Sequence, residues 1–224
     1  MRVLAIGTHP DDLEIACAGT LLKCIERGDE VYAVFLCSGD LGHEVIPPNE
    51  LKVIRDGEIR KAGKMGGYKE VIYGGFDDLS IYDNKEARDK VTEIIRRVDP
   101  DFIITEDPND YMPDHTATNK LVFDASFAAT VPHYPSKYKK PAVIFTYDEA
   151  TGDLKGSCRS LSGCNIMEAF ASLNDILITF GGHSLAGGCS IKKDNFNEFK
   201  NRFDAIKQNQ KSRIERSESA RKKI

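Results

Sequence analysis

The sequence predicts an α/β protein with a Rossmann-like, mostly parallel sheet and helices on both faces, followed by a smaller α+β segment. Short apolar runs rich in Val, Ile and Phe alternate with helical segments through the first three quarters of the 224 residues. Strands separated by helices favour parallel pairing, because each connection returns over a face of the sheet. The predicted strands are 2–7, 30–37, 70–73, 102–105 and 142–146, and the predicted helices are 14–27, 51–65, 85–98 and 116–129.

Local signals support these elements in turn. The first strand is an apolar run of the length typical of a buried strand, and it ends at Gly7. The helix that follows ends before Gly28, a residue that favours helix termini. The third helix stops before Pro100, which cannot continue a helix. No Gly-x-Gly-x-x-Gly follows the first strand, so a dinucleotide site is not predicted.

Composition indicates an ordinary globular protein with a net charge of −4. No apolar run approaches the ~20 residues of a membrane span, and the first residues lack the layout of a secretory signal, so we expect a cytoplasmic protein. The six cysteines form no C-x-x-C pair, which favours reduced, packed thiols.

Charge is distributed unevenly along the chain. Residues 192–224 carry 11 Lys and Arg against 5 Asp and Glu. Residues 207–224 are polar almost throughout, which indicates a solvated, partly helical tail, with a nucleic-acid-binding arm as the alternative. We expect domains at 1–148 and 149–206, followed by this tail.

The most informative motif is His-Pro-Asp-Asp-Leu-Glu at residues 9–14, directly after the first strand. Ligands bind at the carboxyl ends of strands in open α/β sheets. The side chains of the adjacent residues Asp11 and Asp12 diverge, so His9 and Asp12 could bind a metal while Asp11 handles a proton. The alternative is a helix N-terminus that is merely rich in carboxylates, which the helix dipole favours.

Two further loops follow predicted strands. Residues 38–43, after the second strand, suit the lining of a cleft. The acid-rich loop 106–115, after the fourth strand, ends in His115. A catalytic zinc takes three protein ligands and keeps one position open. His9, Asp12 and His115 would make that set, although His115 could equally be an ordinary loop histidine.

These two motifs resemble the LmbE-like (PIG-L) zinc de-N-acetylases over about residues 1–148. The resemblance rests on His-Pro-Asp-Asp-x-Glu at the first strand and on Pro-Asp-His at the start of a later helix. It implies zinc on His9, Asp12 and His115, with Asp11 as general base. Arg55-x-x-Glu, with Ala62 and Gly66, is similar to a third block of the family in which the arginine faces the substrate.

One position departs from this pattern. The family often has a histidine, thought to stabilise the oxyanion, where this chain has Met112. Asp-Tyr-Met-x-Asp-His nevertheless resembles a subgroup of the family.

The last part of the chain resembles the second half of the DHHA1 domain of RecJ-type exonucleases. The resemblance rests on Gly-Ser-Cys-Arg-Ser at 156–160 and on Phe-Gly-Gly-His at 180–183. It implies that Arg159 and His183 contact phosphate, and glycines do let backbone N–H groups approach an anion. A plain turn is the alternative for Gly-Gly-His. The exonucleases' Asp-His-His metal motif is absent, so this part cannot cleave phosphodiesters by their route.

This segment needs a core of its own. We expect the 142–146 strand to serve one continuous sheet, and the following apolar residues to be buried: Ile166, Phe170, Leu173, Leu177, Phe180, Phe196, Phe199 and Phe203.

Two functions follow from these observations. The leading one is a zinc-dependent hydrolase that removes an N-acetyl group from an N-acetylglucosamine-like sugar. The alternative is a weakly catalytic or non-catalytic protein that binds phosphate or oligonucleotides weakly and has a vestigial metal site. The sequence leaves oligomeric state open, with a homo-oligomer as one option.

Overall fold

The computed structural model describes residues 1–131, 133–138, 143–148, 151–160 and 165–221. The chain divides into two compact units. The first comprises Met1–Ala128 with Pro135–Tyr138, and the second comprises Ala129–Tyr134 with Lys139–Ile224.

The first unit is built on a parallel four-stranded sheet with the order β3-β2-β1-β4. The prediction of a Rossmann-like parallel sheet is confirmed, and the elements extend a few residues beyond the predicted bounds at several ends. The strands are β1 (Arg2–Gly7), β2 (Glu30–Cys37), β3 (Glu70–Phe76) and β4 (Phe102–Thr105). The helices are α1 (Asp12–Glu26), α2 (Pro48–Gly66), α3 (Lys85–Val98) and α4 (Pro113–Thr130).

Helices bury the central strands of this sheet on both faces. Leu21 of α1 and Ile59 of α2 share one core cluster with Val3 of β1 and Phe35 of β2. Helix α3 also packs against β1. Because every residue of β1 after Arg2 is buried, the run must be apolar throughout, which explains the absence of polar alternation in its sequence.

The second unit contains an antiparallel sheet with the order β5-β6-β8-β7. Its strands are β5 (Val143–Asp148), β6 (Asp153–Arg159), β7 (Leu177–His183) and β8 (Ala186–Lys192). Its helices are α5 (Ile166–Ala171) and α6 (Phe196–Arg221), so α6 continues through most of the polar tail.

The prediction of one continuous sheet with a fifth parallel strand was wrong. β5 pairs antiparallel with β6, and Asp148 lies opposite Asp153. Two strands joined by so short a connection form a hairpin, whereas a parallel return needs a long crossover. The described residues therefore form two separate four-stranded sheets.

The core predicted for this unit is confirmed. Five of the predicted residues are buried and three pack against them partly buried. The buried residues are Ile166, Phe170, Leu173, Phe199 and Phe203, and the partly buried ones are Leu177, Phe180 and Phe196.

Of the helices in the described part of the chain, none is both long enough and apolar enough to cross a membrane.

Candidate metal centre

The candidate centre lies at the carboxyl ends of β1 and β4, which are neighbours in the sheet. The chain adds β2 and β3 on one side of β1 and β4 on the other, so the strand order reverses between β1 and β4. Such a switch point opens a crevice for ligands. His9 and Asp12 follow β1, and His115 lies in the first turn of α4.

The loop after β1 turns Asp11 and Asp12 in different directions. Asp11 has a left-handed backbone with φ 96°, a conformation that Asp tolerates better than most residues. The Asp11 side chain is 54% exposed, whereas that of Asp12 is 15% exposed. Asp12 Oδ2 instead turns back and accepts a hydrogen bond of 2.6 Å from the backbone N–H of His9. The two carboxylates therefore face different surroundings.

Three potential ligand atoms converge on one point. Asp12 Oδ2 lies 3.6 Å from His9 Nδ1 and 3.4 Å from His115 Nε2. One ligand atom from each residue lies within 4.8 Å of the other two. Two imidazole nitrogens and a carboxylate oxygen form a donor set that suits zinc.

Carboxylates hold the far side of both imidazole rings. His9 Nε2 lies 3.0 Å from Asp114 Oδ2, and His115 Nδ1 lies 2.9 Å from Asp110 Oδ2. Metal-binding histidines commonly donate their second N–H to such a carboxylate, which fixes the tautomer and the ring orientation. Each ring therefore directs its other nitrogen towards Asp12.

The burial of His115 Nε2 fits the role of a metal ligand. This nitrogen has no hydrogen-bond partner among the described residues. A buried polar atom without a partner costs free energy, so its position is explained if it binds an ion. A second grouping of His9 and Asp114 with Cys37 also has metal-like spacing. Burial raises the pKa of the Cys37 thiol strongly, which keeps it protonated and makes it a poor ligand.

Charges in the centre are strongly coupled. Burial lowers the pKa of His9, but the carboxylates of Asp12 and Asp114 outweigh it and raise that pKa to about 9. Burial raises the pKa of Asp12, but hydrogen bonds from His9 outweigh it and the pKa falls below its usual value. Glu106 accepts a hydrogen bond from Thr8, and burial beside Asp12 raises its pKa. The metal-free centre thus pairs a cation with a carboxylate.

Arg55 extends from α2 to the loop after β1. Its Nη2 donates a hydrogen bond of 2.7 Å to Asp11 Oδ2 and also contacts the carbonyl oxygen of Pro10. Its Nη1 donates to Glu58 at 2.8 Å. The structure therefore places Arg55 beside the predicted base, a position that sequence motifs alone did not specify.

Met112 contributes its backbone N–H to the centre. Its N–H donates a hydrogen bond of 2.8 Å to Asp110 Oδ1, while Oδ2 of the same carboxylate holds His115. Met112 therefore orders the loop that presents His115.

Asp78 and Asp40 are two residues of this region that no sequence motif indicated. The backbone N–H groups of Gly39 and Leu41 donate to Asp78, at 2.7 and 3.1 Å, and the N–H of Asp78 donates to Asp40 at 2.9 Å. Asp78 Oδ1 also lies 4.0 Å from His9 Nε2. These contacts fix the predicted cleft-lining loop 38–43 against the β3–α3 loop. The acidic residues of these two loops were the one sequence signal that could have indicated Asp40 and Asp78.

In the second unit, the backbones of Arg159 and His183 both lie opposite Ala186, on the two strands that flank β8. The side chain of Arg159 lies outside the described residues. His183 is exposed. Gly182 has φ 140°, and a Cβ there would lie 2.3 Å from the Ala186 oxygen, so only glycine fits this position.

Residues 4–126 match the family model PIG-L, described as GlcNAc-PI de-N-acetylase. The chain belongs to this family. Residues 124–209 match the DHHA1 domain. Both resemblances expected from the sequence are therefore confirmed.

Curated relatives match the two parts separately. The diacetylchitobiose deacetylase of Thermococcus kodakarensis is 28% identical over 138 residues, which cover 59% of this chain and 52% of that protein. The probable N-acetyl-alpha-D-glucosaminyl L-malate deacetylase 2 of Bacillus anthracis is 30% identical, covering 58% and 61%. The exonuclease RecJ of Bacillus subtilis is 36% identical over 73 residues, covering 33% and 9%. The chain thus spans about half to three fifths of these deacetylases.

Solved structures show the same fold. The conserved protein TT1542 from Thermus thermophilus superposes with a TM-score of 0.57 at 28% identity, covering 62% of this chain and 61% of the other. The N,N'-diacetylchitobiose deacetylase from Pyrococcus horikoshii gives 0.59 at 25% identity, covering 76% and 67%.

Proposed function

We propose that this chain is a zinc-dependent hydrolase that removes an N-acetyl group from an N-acetylglucosamine-like substrate. The observation that carries the proposal is the convergence of His9 Nδ1, Asp12 Oδ2 and the unpartnered His115 Nε2 in a chain of the PIG-L family. The names of the two deacetylase relatives describe N-acetylated sugars or sugar conjugates as their substrates.

His9, Asp12 and His115 would hold the zinc. When bound, zinc lowers the pKa of water and polarises an amide carbonyl. Asp114 and Asp110 orient the two imidazole rings through His9 Nε2 and His115 Nδ1. These carboxylates keep both histidines in the tautomer that leaves the ligand nitrogen free.

Asp11 would act as the general base. Arg55 holds Asp11 Oδ2, so we assign the proton to Oδ1. Asp11 takes a proton from the water that adds to the acetyl carbonyl carbon. It then delivers that proton to the amide nitrogen as the C–N bond breaks, which yields acetate and a free amine.

Replacement of Asp11 tests this mechanism. Asp11→Asn should retain its zinc and release acetate from an N-acetylglucosamine derivative about 10² times more slowly or worse, because only the proton acceptor is lost. Asp56→Asn, at a carboxylate of α2 that pairs with Arg60, is the matched control and should leave the rate unchanged. A full rate in Asp11→Asn would remove Asp11 from the mechanism, and lost zinc would make it a ligand.

A second candidate function belongs to the second unit. The match to DHHA1 and the exposed Gly181-Gly182-His183 edge favour weak binding of phosphate or a short oligonucleotide at Arg159 and His183. The net-acidic chain supplies little electrostatic attraction, so affinity should be low and should fall with salt.

Arg159→Ala should abolish this binding, as measured by fluorescence anisotropy of a labelled oligonucleotide, and should leave the metal content unchanged. Unaltered anisotropy would exclude Arg159.

A further inference from the structure

We propose that Asp40 and Asp78 form a clasp that positions Arg55 and, through Arg55, the general base Asp11. The clasp consists of these two carboxylates and the loop residues 38–41 that they hold. The proposal rests on the deacetylase function above, because Asp11 acts as a base only in that reaction. It assigns a positioning role to two buried carboxylates that lie outside the proposed ligand set.

The two carboxylates each accept hydrogen bonds from the other's loop. Asp40 follows β2, and its Oδ1 accepts from the Ser38 hydroxyl at 2.6 Å and from the backbone N–H of Asp78 at 2.9 Å. Asp78 lies in the β3–α3 loop, and its two oxygens accept the backbone N–H groups of Gly39 and Leu41. Because the hydrogen bonds run in both directions, the position of one loop fixes the position of the other.

The clasp is buried and charged. Asp40 is 6% exposed and Asp78 is 9% exposed. Burial raises the pKa of Asp40, but hydrogen bonds from Asp78 and Ser38 outweigh it, so this pKa lies below its usual value. Asp40 is therefore ionised at neutral pH, and hydrogen bonds to an ionised acceptor are stronger than those between neutral groups. The clasp thus holds the 38–41 loop firmly.

Gly39 brings this loop against Arg55. Its backbone has φ 69°, a conformation that favours glycine. A Cβ on Gly39 would lie 3.0 Å from Pro10 Cδ and 3.2 Å from Arg55 Nε. The backbone of Gly39 therefore packs directly against the Arg55 side chain and against the residue that precedes Asp11. A displaced loop would remove this support from both.

Arg55 in turn fixes the base. Its Nη2 donates to the Pro10 carbonyl oxygen and, at 2.7 Å, to Asp11 Oδ2. The Asp11 side chain is 54% exposed, and among the described residues Arg55 provides its side-chain hydrogen bond. An exposed carboxylate held in this way depends on the guanidinium for its orientation. A displacement of about 1 Å at a catalytic group can cost ~10²-fold in rate, so loss of the clasp should slow the reaction.

The clasp also approaches the metal centre through His9. Asp78 Oδ1 lies 4.0 Å from His9 Nε2, which is too long for a hydrogen bond. The closer contacts lead through Gly39 to Arg55. The two connections differ in their consequences, because a clasp that acted through His9 would change zinc binding, whereas one that acts through Arg55 leaves the zinc in place.

The position of Arg55 can be measured without substrate by ¹H–¹⁵N NMR of its guanidinium group. Hydrogen bonds to Asp11, Pro10 and Glu58 should slow the rotation and exchange of the Nη protons, so wild type should give resolved signals. Arg55→Lys removes these signals and thereby assigns them.

Substitutions of Asp40 test the clasp by this measurement. Asp40→Ala should broaden or shift the Arg55 signals, because the 38–41 loop is released. Asp40→Asn should retain them, since its amide oxygen can accept both hydrogen bonds. Asp83→Ala, which removes a carboxylate of the β3–α3 loop that pairs with Arg88, is the matched control. Unchanged Arg55 signals in Asp40→Ala would overturn the proposal.

Gly39→Ala takes the place of Asp40→Ala if that variant does not fold. It adds a methyl group against Arg55 Nε and leaves both carboxylates intact. The Arg55 signals should shift, and unchanged signals would reject the contact on which the proposal depends.

A double-mutant cycle tests whether the clasp acts through Arg55. Asp40→Ala should retain its zinc and release acetate from an N-acetylglucosamine derivative about tenfold more slowly or worse. Asp40→Asn should keep most of the rate. In an Arg55→Ala background, Asp40→Ala should cause no further loss, because the effects of residues that act through one group are not additive. Additive losses, or zinc lost from Asp40→Ala, would overturn the proposal.

The two measurements separate this proposal from the deacetylase proposal. Arg55 signals that depend on Asp40 support the clasp even if no variant releases acetate, an outcome that rejects the deacetylase alone. Acetate release by a protein whose Arg55 signals do not depend on Asp40 rejects the clasp alone.

Discussion

At the scale of single residues, each histidine of the candidate centre lies between two carboxylates. His9 lies between Asp12 and Asp114, and His115 lies between Asp12 and Asp110. This arrangement fixes both rings before any metal arrives. It also makes the metal-free centre favour a protonated His9, whose pKa rises to about 9.

This raised pKa predicts how the stability of the metal-free protein depends on pH. The folded-state pKa of His9 lies above the ordinary histidine pKa of 6.5. The stabilisation is therefore complete below about pH 6.5 and is lost as the pH rises through about 9. This shift in the pKa of His9 corresponds to a stabilisation of the folded state on the order of 3 kcal/mol. Urea unfolding of the chelator-treated protein should show a lower free energy of unfolding at pH 9.5 than at pH 6.

His9→Ala is the control for this measurement. The variant should lose most of the difference in unfolding free energy between the two pH values, because the titrating group is gone. The same pH dependence in both proteins would assign it to other groups.

Sequence motifs predicted the residues that would bind the metal, but they did not indicate every residue that orients those ligands. His9, Asp12 and His115 stand at recognisable spacings after strands. The Asp78 carboxylate accepts a hydrogen bond from the backbone N–H of Gly39, and the backbone N–H of Leu79 donates to Asp114. Each of these contacts joins two different loops, so no local sequence pattern indicates it. Asp114 is the sequence neighbour of His115, yet its Oδ2 contacts His9, and a contact between residues 105 positions apart has no local sequence signal.

At the scale of elements, the contact between β2 and β3 depends on a glycine. A Cβ on Gly74 would lie 2.6 Å from the Cα of Leu36 and 2.7 Å from its carbonyl oxygen. These are backbone atoms of the neighbouring strand, and they cannot move without separating the strands. The register of the pair also shifts at this point, between Phe35 and Cys37.

Gly74→Ala should therefore destabilise the first unit by about 1–3 kcal/mol, the usual cost of overpacking. Gly57→Ala in α2 is the matched control, since a Cβ there meets nothing within 4 Å. It should stabilise the protein by about 0.5–1 kcal/mol, because alanine favours a helix over glycine. Chemical unfolding of both variants measures the effect, and a Gly74→Ala protein as stable as wild type would contradict the packing described.

The four parallel strands were predictable because each is an apolar run followed by a helical segment. β5 was placed in the wrong sheet for a related reason. An apolar run of six residues does not reveal whether its neighbour is parallel or antiparallel, and only the short connection to Asp153 marks a hairpin.

At the scale of the whole molecule, two units with separate cores carry two different sets of candidate groups. The first unit contains the His9, Asp12 and His115 cluster, and the second contains the exposed His183. The family matches divide the chain in nearly the same place, at residues 124–126. This division supplies a matched pair of histidines for testing the metal centre.

The proposed metal centre is tested most directly by the zinc content of three purified proteins after dialysis: wild type, His115→Ala and His183→Ala. We expect about one zinc per chain in wild type, since the ligand set has the composition of a single zinc site. His115→Ala should lose most of that zinc, because a ligand is removed, and His183→Ala should retain it. Unchanged zinc in His115→Ala, or zinc lost from His183→Ala, would contradict the proposed centre.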